Sequence, residues 1–445
     1  MDIMQKLTIL ADSAKYDAAC TSSGVTRGGP PGGKGMGSAV PDGICHSFSA
    51  DGRCITLLKV LMSNACAYDC KYCVNRSSND VPRATFTPDE LAELTIQFYR
   101  RNYIEGLFLS SGVVRNPDYT SEQMIRVLAL LRYEHHFWGY IHAKVIPGTA
   151  SGLVRRLGQL ADRISVNVEL PSEASLSTLA PQKKRKAIFT PMAEIKQGIA
   201  VSQTDIVRYK HAENFAPGGQ ATQMIIGATP ESDYNILRLA SGLYTKYDLR
   251  RVFYSAYIPT VTDTMLPAVD TKPPLLREHR LYQADWLMRQ YQFDAEEILS
   301  EAQPNFNPYL DPKCNWAVNN LHFFPVDVNT ASFQALLRVP GIGPKSAKAI
   351  VIARRHSHIG MSQLKRIGVV LKRAKYFILT DDLPCGIRLN KQTMAKALID
   401  PGSFSLGVEQ LSLFDRPELK FLTDTKAPAI QEVREEAATC LASKL

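Results

Sequence analysis

Cys66-Ala-Tyr-Asp-Cys70-Lys-Tyr-Cys73 carries three cysteines at C-x3-C-x2-C spacing, directly after the apolar run Ile55 to Met62. An apolar run followed by a polar loop predicts a strand that delivers three thiols to one point. Three close thiolates suit a soft metal centre. Zinc asks for a fourth thiolate or imidazole, usually presented as C-x2-C or C-x-H pairs, and none is nearby in sequence. An iron–sulfur cluster held by three cysteines leaves one iron open to another ligand. The competing reading is a set of structural thiols.

Outward from this loop, the 445 residues suffice for two or more domains and a large core. No apolar run approaches the ~20 residues of a membrane span. Met1-Asp-Ile-Met-Gln-Lys lacks the basic region and apolar core of a secretory signal. Nine cysteines, an odd number, argue for a reducing cytoplasm rather than a disulfide scaffold. Thr21 to Ser38 is rich in Gly, Ser and Pro but lacks the G-x-x-x-x-G-K-[ST] pattern, so it reads as a loop within an N-terminal extension, 1–52. Cys20, Cys45 and Cys54 flank it at irregular spacing, as buried thiols or as ligands of a second metal centre.

Residues 53–300 repeat strand, turn and helix. The expected strands are Ile55–Ser63, Gly106–Ser111, Gly139–Ile146, Arg163–Leu170, Thr222–Ala228 and Arg251–Ile258, each short and apolar as in parallel strands buried on both faces. Helices are expected from Pro88, with Thr87 as N-cap, and over Ser121–Tyr133, Gly152–Leu160, Pro191–Val201 and Glu231–Lys246. Leu275 to Leu299 predicts a further helix, with Trp286 and Tyr291 read as core. Six βα units fit a partial (β/α)6 TIM-type barrel, in which chemistry gathers at the C-terminal ends of the strands. The cysteine loop falls at that end of the first strand. Asn167 and Glu169, alternating with Val166 and Val168, would both point into the barrel. Residues 301–328, rich in Pro and Asn, read as a linker.

C-x3-C-x-aromatic-C, with Tyr72 as the aromatic residue, resembles the signature of radical S-adenosylmethionine (SAM) enzymes. The resemblance implies that Cys66, Cys70 and Cys73 hold a [4Fe-4S] cluster whose open iron is chelated by SAM. Reductive cleavage of SAM then yields methionine and a 5′-deoxyadenosyl radical that abstracts hydrogen from a substrate. It further implies a SAM amino contact at Ser110-Ser111-Gly112, where the family's glutamate is missing. Asn167 and Glu169 fall on the strand where a polar residue holds the SAM ribose in the family, with nearby charges holding its carboxylate, and the turn with Gly227 falls where the family packs beside adenine. An electron donor such as flavodoxin or ferredoxin is implied as well.

Downstream, Phe333 to Ala353 contains Val339-Pro340-Gly341-Ile342-Gly343-Pro344-Lys345 between two helical patterns and resembles the helix-hairpin-helix motif of DNA-repair proteins. Gly341 and Gly343 let backbone N–H groups approach a phosphate at the start of the second helix, with Lys345 and Lys348 beside it. Leu364 to Lys375 looks like a second, degenerate copy. Between Phe333 and Leu379 lie ten Lys or Arg and no Asp or Glu. Subtracting those ten from the whole-chain net charge of +9 leaves −1 for the remainder, so the basicity belongs to one module. Ten to none is a phosphate-binding footprint. It reads backbone rather than bases. A small all-α domain, 329–380, is therefore expected to bind nucleic acid. In the tail, 381–445, Gln410-Leu411-Ser-Leu413-Phe414 looks like the peptide by which bacterial repair proteins dock on the sliding clamp.

Together these motifs resemble bacterial radical SAM proteins assigned to DNA modification or repair, often considered alongside a uracil-DNA-glycosylase-like partner. The expectation is an enzyme that modifies or repairs a nucleotide in DNA through a deoxyadenosyl radical. An RNA or tRNA substrate, and a cluster-bearing DNA sensor without turnover, remain as alternatives.

Overall fold

The computed structural model describes residues 1–14, 44–48, 54–382 and 391–399. Contacts divide the chain into two compact units. One comprises Met1–Glu231 and Gly242–Pro274; the other comprises Ser232–Ser241 and the chain from Leu275 onward.

The first unit is built on one sheet. Strands β2 (Cys54–Leu61), β3 (Gly106–Ser110), β4 (Tyr140–Lys144), β5 (Arg163–Ser165), β6 (Gln220–Ile226) and β7 (Arg251–Ala256) run parallel in sequence order. These six strands form the expected half-barrel. An edge strand that the sequence did not predict, β1 (Ile44–Phe48), adds antiparallel to β2. The apolar core includes Leu57, Leu58, Leu107, Leu109, Ile141, Ile164, Met224 and Val252, all fully buried, while Lys59, His142, Thr222 and Gln223 are buried polar residues of the strands. Covering helices are α1 (Ile3–Ala14), α2 (Pro88–Arg100), α3 (Pro117–Ala129), α4 (Ser151–Leu160), α5 (Glu173–Leu179) and α6 (Arg185–Arg208). The next helix, α7 (Asp233–Tyr247), contributes to both units.

Local chemistry fixes the boundaries. Thr87 caps α2 in a capping box with Glu90, behind Pro88, and Lys6 of α1 reaches the Glu90 carboxylate at 2.7 Å. Helix α3 begins four residues earlier than expected, because the Asn116 side chain accepts from the Tyr119 N–H ahead of Pro117. Its final turn, Leu130–Glu134, widens to a π-helix. Helix α6 starts before Pro191 rather than at it. The carbonyl of Ala187, left without a donor by the proline, instead accepts the N–H of Gly148 at 3.1 Å. The fourth parallel strand stops at Ser165, not Leu170. There the Thr222 hydroxyl enters the ladder, donating to Val166 O and accepting from Val168 N, and Glu169 adopts φ +66°.

The second unit is helical apart from two-residue strands β8 (Val326–Asp327) and β9 (Ile378–Leu379), which pair in parallel. Its helices are α8 (Leu275–Tyr291), α9 (Ala295–Ile298), α10 (Pro312–Asn319), α11 (Phe333–Arg338), α12 (Pro344–Ala353), α13 (Met361–Ile367), α14 (Leu371–Ala374) and α15 (Lys391–Ile399). The segment read from sequence as a linker, 301–328, thus contains α10, capped by the Asp311 side chain on the Cys314 N–H and opened by Pro312. Leu336, Leu337, Ile342, Ala347, Ile350, Leu364, Ala374 and Phe377 form this unit's core. Among the described residues no helix is long and apolar enough to cross a membrane.

Candidate cluster loop and nucleic-acid interface

The loop after β2 is organised by two side chains. Asn64 donates to the Ser13 hydroxyl and the Pro82 carbonyl, and accepts from the Ala84 N–H. Arg83 spreads its guanidinium over four carbonyls: Asn64 at 2.6 Å, Asn75 at 2.9 Å, Arg76 at 2.7 Å and Asn79 at 2.8 Å. Five donors in a planar fork suit this task. The loop so closed carries Cys66, Cys70 and Cys73, all with free thiols. The loop after β7 leans on it through Asp263, which faces Arg76 at 3.6 Å and Lys71 at 3.7 Å. Beside Cys66 opens a cleft of about 330 Å³ lined by Ala65, Cys66, Ala67, Ser77, Arg83 and Arg115.

Burial pushes the Cys73 thiol up to about 12 and raises Cys70, with Lys183 partly opposing the rise at Cys70. The sulfur of Cys66 accepts the N–H groups of Tyr68 at 3.4 Å and Val113 at 3.3 Å. Among the described residues no three His, Cys, Asp or Glu side chains close on a single-ion cage. A four-iron cluster sets its ligand sulfurs farther apart than a single ion does. The donor set, three thiols on one braced loop with backbone N–H groups already directed at a sulfur, fits such a cluster. Binding iron would supply the thiolate form that burial disfavours.

The strand ends converge around this loop. Ser111-Gly112 presses against it: Gly112 N–H donates to Ser63 O at 2.7 Å, and a Cβ on Gly112 would lie 3.2 Å from that of Cys66. Ser110 is buried at the end of β3. Asn167 and Glu169 are both buried, Asn167 within 3.5 Å of Gln223 Oε1. Glu169 pairs with Lys183 at 2.9 Å, and Lys183 Nζ also reaches the Tyr72 hydroxyl at 3.4 Å. Burial works to lower the Lys183 pKa, but the paired Glu169 carboxylate outweighs it and holds the ammonium well above the ordinary lysine value. The Tyr72 hydroxyl is raised well above its usual value, chiefly by burial. Gly227 takes φ +86° and leaves room for Pro274, whose Cγ would stand 2.6 Å from a Cβ there. Two side chains that shape this candidate site escaped the sequence reading. Lys183 is one of four consecutive cations, Lys183-Lys-Arg-Lys186, and only the fold shows which one turns inward. Nothing local in the sequence marks Arg83.

In the second unit the hairpin is formed as expected. Gly341 adopts φ +84°, and a Cβ on it would stand 2.5 Å from the Val370 carbonyl oxygen. The degenerate second copy is real: α13 ends on Gly368 at φ +91°, and Val370 N–H donates to Gly341 O at 2.9 Å, joining the two turns. Pro340 lies in the turn, with Gly343 capping α12 ahead of Pro344. Three of the ten cations serve the framework. Arg338 binds Glu297 at 2.9 Å, Arg354 donates to Val328 O and Ala331 O, and Arg373 pairs with Asp311 at 3.3 Å. Lys345, Lys348, Arg355, Lys365, Arg366 and Lys372 are exposed, and none forms an ion pair among the described residues. Cys20 and the clamp-like peptide with Gln410, Leu411, Leu413 and Phe414 lie outside the described residues; Cys45 and Cys54 lie on β1 and β2.

Comparison with known proteins agrees with the hairpin. Residues 323–370 match the helix-hairpin-helix motif family. No curated protein matches the chain. Among solved structures the chain is similar to HydG, a maturase of the [FeFe]-hydrogenase, at 14% identity and a TM-score of 0.39, over 51% of this chain. It spans about half, 48%, of that maturase's length.

Proposed function

We propose that this chain is a radical SAM enzyme that acts on a nucleotide of DNA. The observation that carries the reading is the braced three-thiol loop at the C-terminal end of the first parallel strand of a half-barrel. Cys66, Cys70 and Cys73 would hold a [4Fe-4S] cluster with one iron open to SAM. When bound, that pair supplies reductive cleavage of SAM and a carbon-centred radical. The chain's own residues do the rest. Arg83 keeps the thiol loop closed. Ser110, Ser111 and Gly112 offer backbone carbonyls to the amino group of SAM, taking the place of an acidic side chain. Lys183, fixed by Glu169, offers a positive charge to the SAM carboxylate, and Tyr72 packs with Leu170, Leu179, Ala228, Tyr257 and Leu266 to keep water away. Asn167 and the Gly227 turn supply polar and close-packed contacts for the nucleoside half.

The paired hairpins, with Pro340, Gly341 and Gly343 shaping the first turn and Lys345 and Lys348 beside it, would hold the nucleic-acid backbone. An external electron donor is required. The tail's clamp-like peptide and a uracil-DNA-glycosylase-like protein are further partners in this reading. Reduced, anaerobic protein incubated with SAM and with duplex DNA or structured RNA tests it: 5′-deoxyadenosine should form, and a mass shift should appear in nucleosides digested from the DNA. Reconstituted protein that yields no 5′-deoxyadenosine is a sensor instead, and a shift in RNA alone reassigns the substrate.

A further inference from the structure

One buried cation of the hairpin unit has no part in the scheme above. Lys313, in the first turn of α10, is 8% exposed. Its Nζ donates to the carbonyl of Ile342 at 2.6 Å and stands 4.5 Å from the centroid of the Tyr291 ring. A buried ammonium is costly unless compensated. Yet among the described residues Lys313 has no carboxylate in ion-pair reach. Asp311 is taken by Arg373, and Glu297 on α9 is taken by Arg338.

The orientation of one peptide unit gives the lysine a use. The Ile342 carbonyl and the Gly343 N–H belong to the same planar unit. It is trans, the one cis bond among the described residues being Phe324–Pro325. In a trans unit the two dipoles point in opposite directions. With the carbonyl drawn onto Lys313, the Gly343 N–H is turned away from the buried lysine. Among the described residues that N–H has no acceptor. Tyr291 backs the same turn, its hydroxyl 3.2 Å from where a Cβ on Gly343 would be.

We propose that Lys313 is a positioning residue for phosphate recognition: its ammonium fixes the Ile342–Gly343 peptide so that the Gly343 N–H presents to the nucleic-acid backbone. This rests on the nucleic-acid reading of the hairpin. A consequence is proton linkage. Burial, aided by Arg338 on α11 and Arg373 on α14, and opposed by Cys314 on α10 and its N-cap Asp311, lowers the Lys313 pKa to about 7. A phosphate at Gly343 favours the charged form, so binding takes up a proton wherever the free protein has lost it. Affinity is then full below about pH 7 and falls as pH rises through the free-state value.

The test is binding of the full-length protein to duplex DNA of mixed sequence at fixed salt, from about pH 6 to about pH 8.5, with calorimetry in buffers of different ionisation heat. Wild type should lose about tenfold in affinity across that range and take up close to one proton at its alkaline end. Lys313→Met should bind about tenfold more weakly at the acid end, with that pH dependence and proton uptake gone; Lys313→Arg should bind tightly and without it. The exposed histidines His356 and His358 remain in every variant, so any uptake of theirs survives the substitution. Flat wild-type binding, or a Lys313→Met protein with unchanged affinity and uptake, overturns the proposal. Wild type that fails to bind duplex even at low salt overturns the nucleic-acid reading instead. Should Lys313→Met lose cooperative melting, wild-type uptake and the Lys313→Arg profile decide alone.

Discussion

Replacing Arg83 with Met should open the cysteine loop without touching a cysteine. The guanidinium makes four hydrogen bonds of 2.6 to 2.9 Å, all to carbonyls of the 64–79 segment. A hydrogen bond to a charged group contributes about 1.5–3 kcal/mol net. Four from one side chain are not additive, and the carbonyls, those of Arg76 and Asn79 on half-buried residues, regain water when the loop opens. A local destabilisation of about 2–4 kcal/mol follows. That is about 30- to 700-fold in the ratio of open to closed loop. Hydrogen exchange at the amides of 66–79 reads this directly, and reconstitution with iron and sulfide reads its consequence as visible absorbance per chain. Arg83→Lys should be intermediate, because an ammonium has three donors for four acceptors. The thermal midpoint of the second unit should not move. Arg83→Met protein with native exchange rates and a full, stable chromophore would show that the guanidinium does not brace the loop.

The remaining predictions probe both units. Cys66→Ala, Cys70→Ala or Cys73→Ala should each abolish the reconstituted visible absorbance while leaving duplex binding intact, measured by spectrophotometry and fluorescence anisotropy. Lys183→Met should keep the chromophore and lose 5′-deoxyadenosine formation, because it removes a cation and strands Glu169 at the barrel mouth. Gly341→Ala should cost about 2–4 kcal/mol by denaturant melting, since φ is +84° and the new Cβ meets the Val370 carbonyl at 2.5 Å. Lys345→Ala with Lys348→Ala should weaken duplex binding and flatten the plot of log K against log salt by roughly 2 in slope. Asp311→Asn should lower stability at neutral pH: burial raises its pKa, but Arg373 and the Cys314 N–H outweigh that and hold it below the ordinary carboxylate value. That stability is present above the unfolded carboxylate value and is lost as pH falls through the folded one, so mutant and wild-type melts should converge in acid.

The half-barrel was legible because its signal is local and repeated: each strand is an apolar run, and Thr87, Asn116 and Ser172 cap α2, α3 and α5. What the sequence hid lay where a tertiary contact replaced a local rule. Pro191 reads as a helix start, but it sits in the second turn because Gly148 satisfies the carbonyl it orphans. Val166 to Leu170 reads as strand by alternation, but the Thr222 hydroxyl takes over the ladder and Glu169 turns left-handed. That turn aims the Glu169 carboxylate at Lys183, fourteen residues on. The thiol loop was visible by spacing. Its brace was not, since Arg83 acts on backbone carbonyls, which carry no sequence signature.

The hairpin's charge shows the same division between what composition reveals and what only contacts resolve. Ten cations against no acids reads as one undivided phosphate-binding face. In the fold Arg338, Arg354 and Arg373 are tied to Glu297, to two carbonyls and to Asp311 respectively, so they hold helices together. They belong to the hairpin's architecture, and a phosphate would have to break those bonds to use them. The charge free for a backbone is the exposed set that includes Lys345, Lys348, Lys365, Arg366 and Lys372. These fall on both helix-turn-helix copies, at or near the start of α12, the end of α13 and the start of α14. The turns of those copies are joined by the Val370–Gly341 hydrogen bond. Substituting a framework arginine should therefore lower stability and affinity together, whereas substituting an exposed lysine should lower affinity alone and reduce its salt dependence.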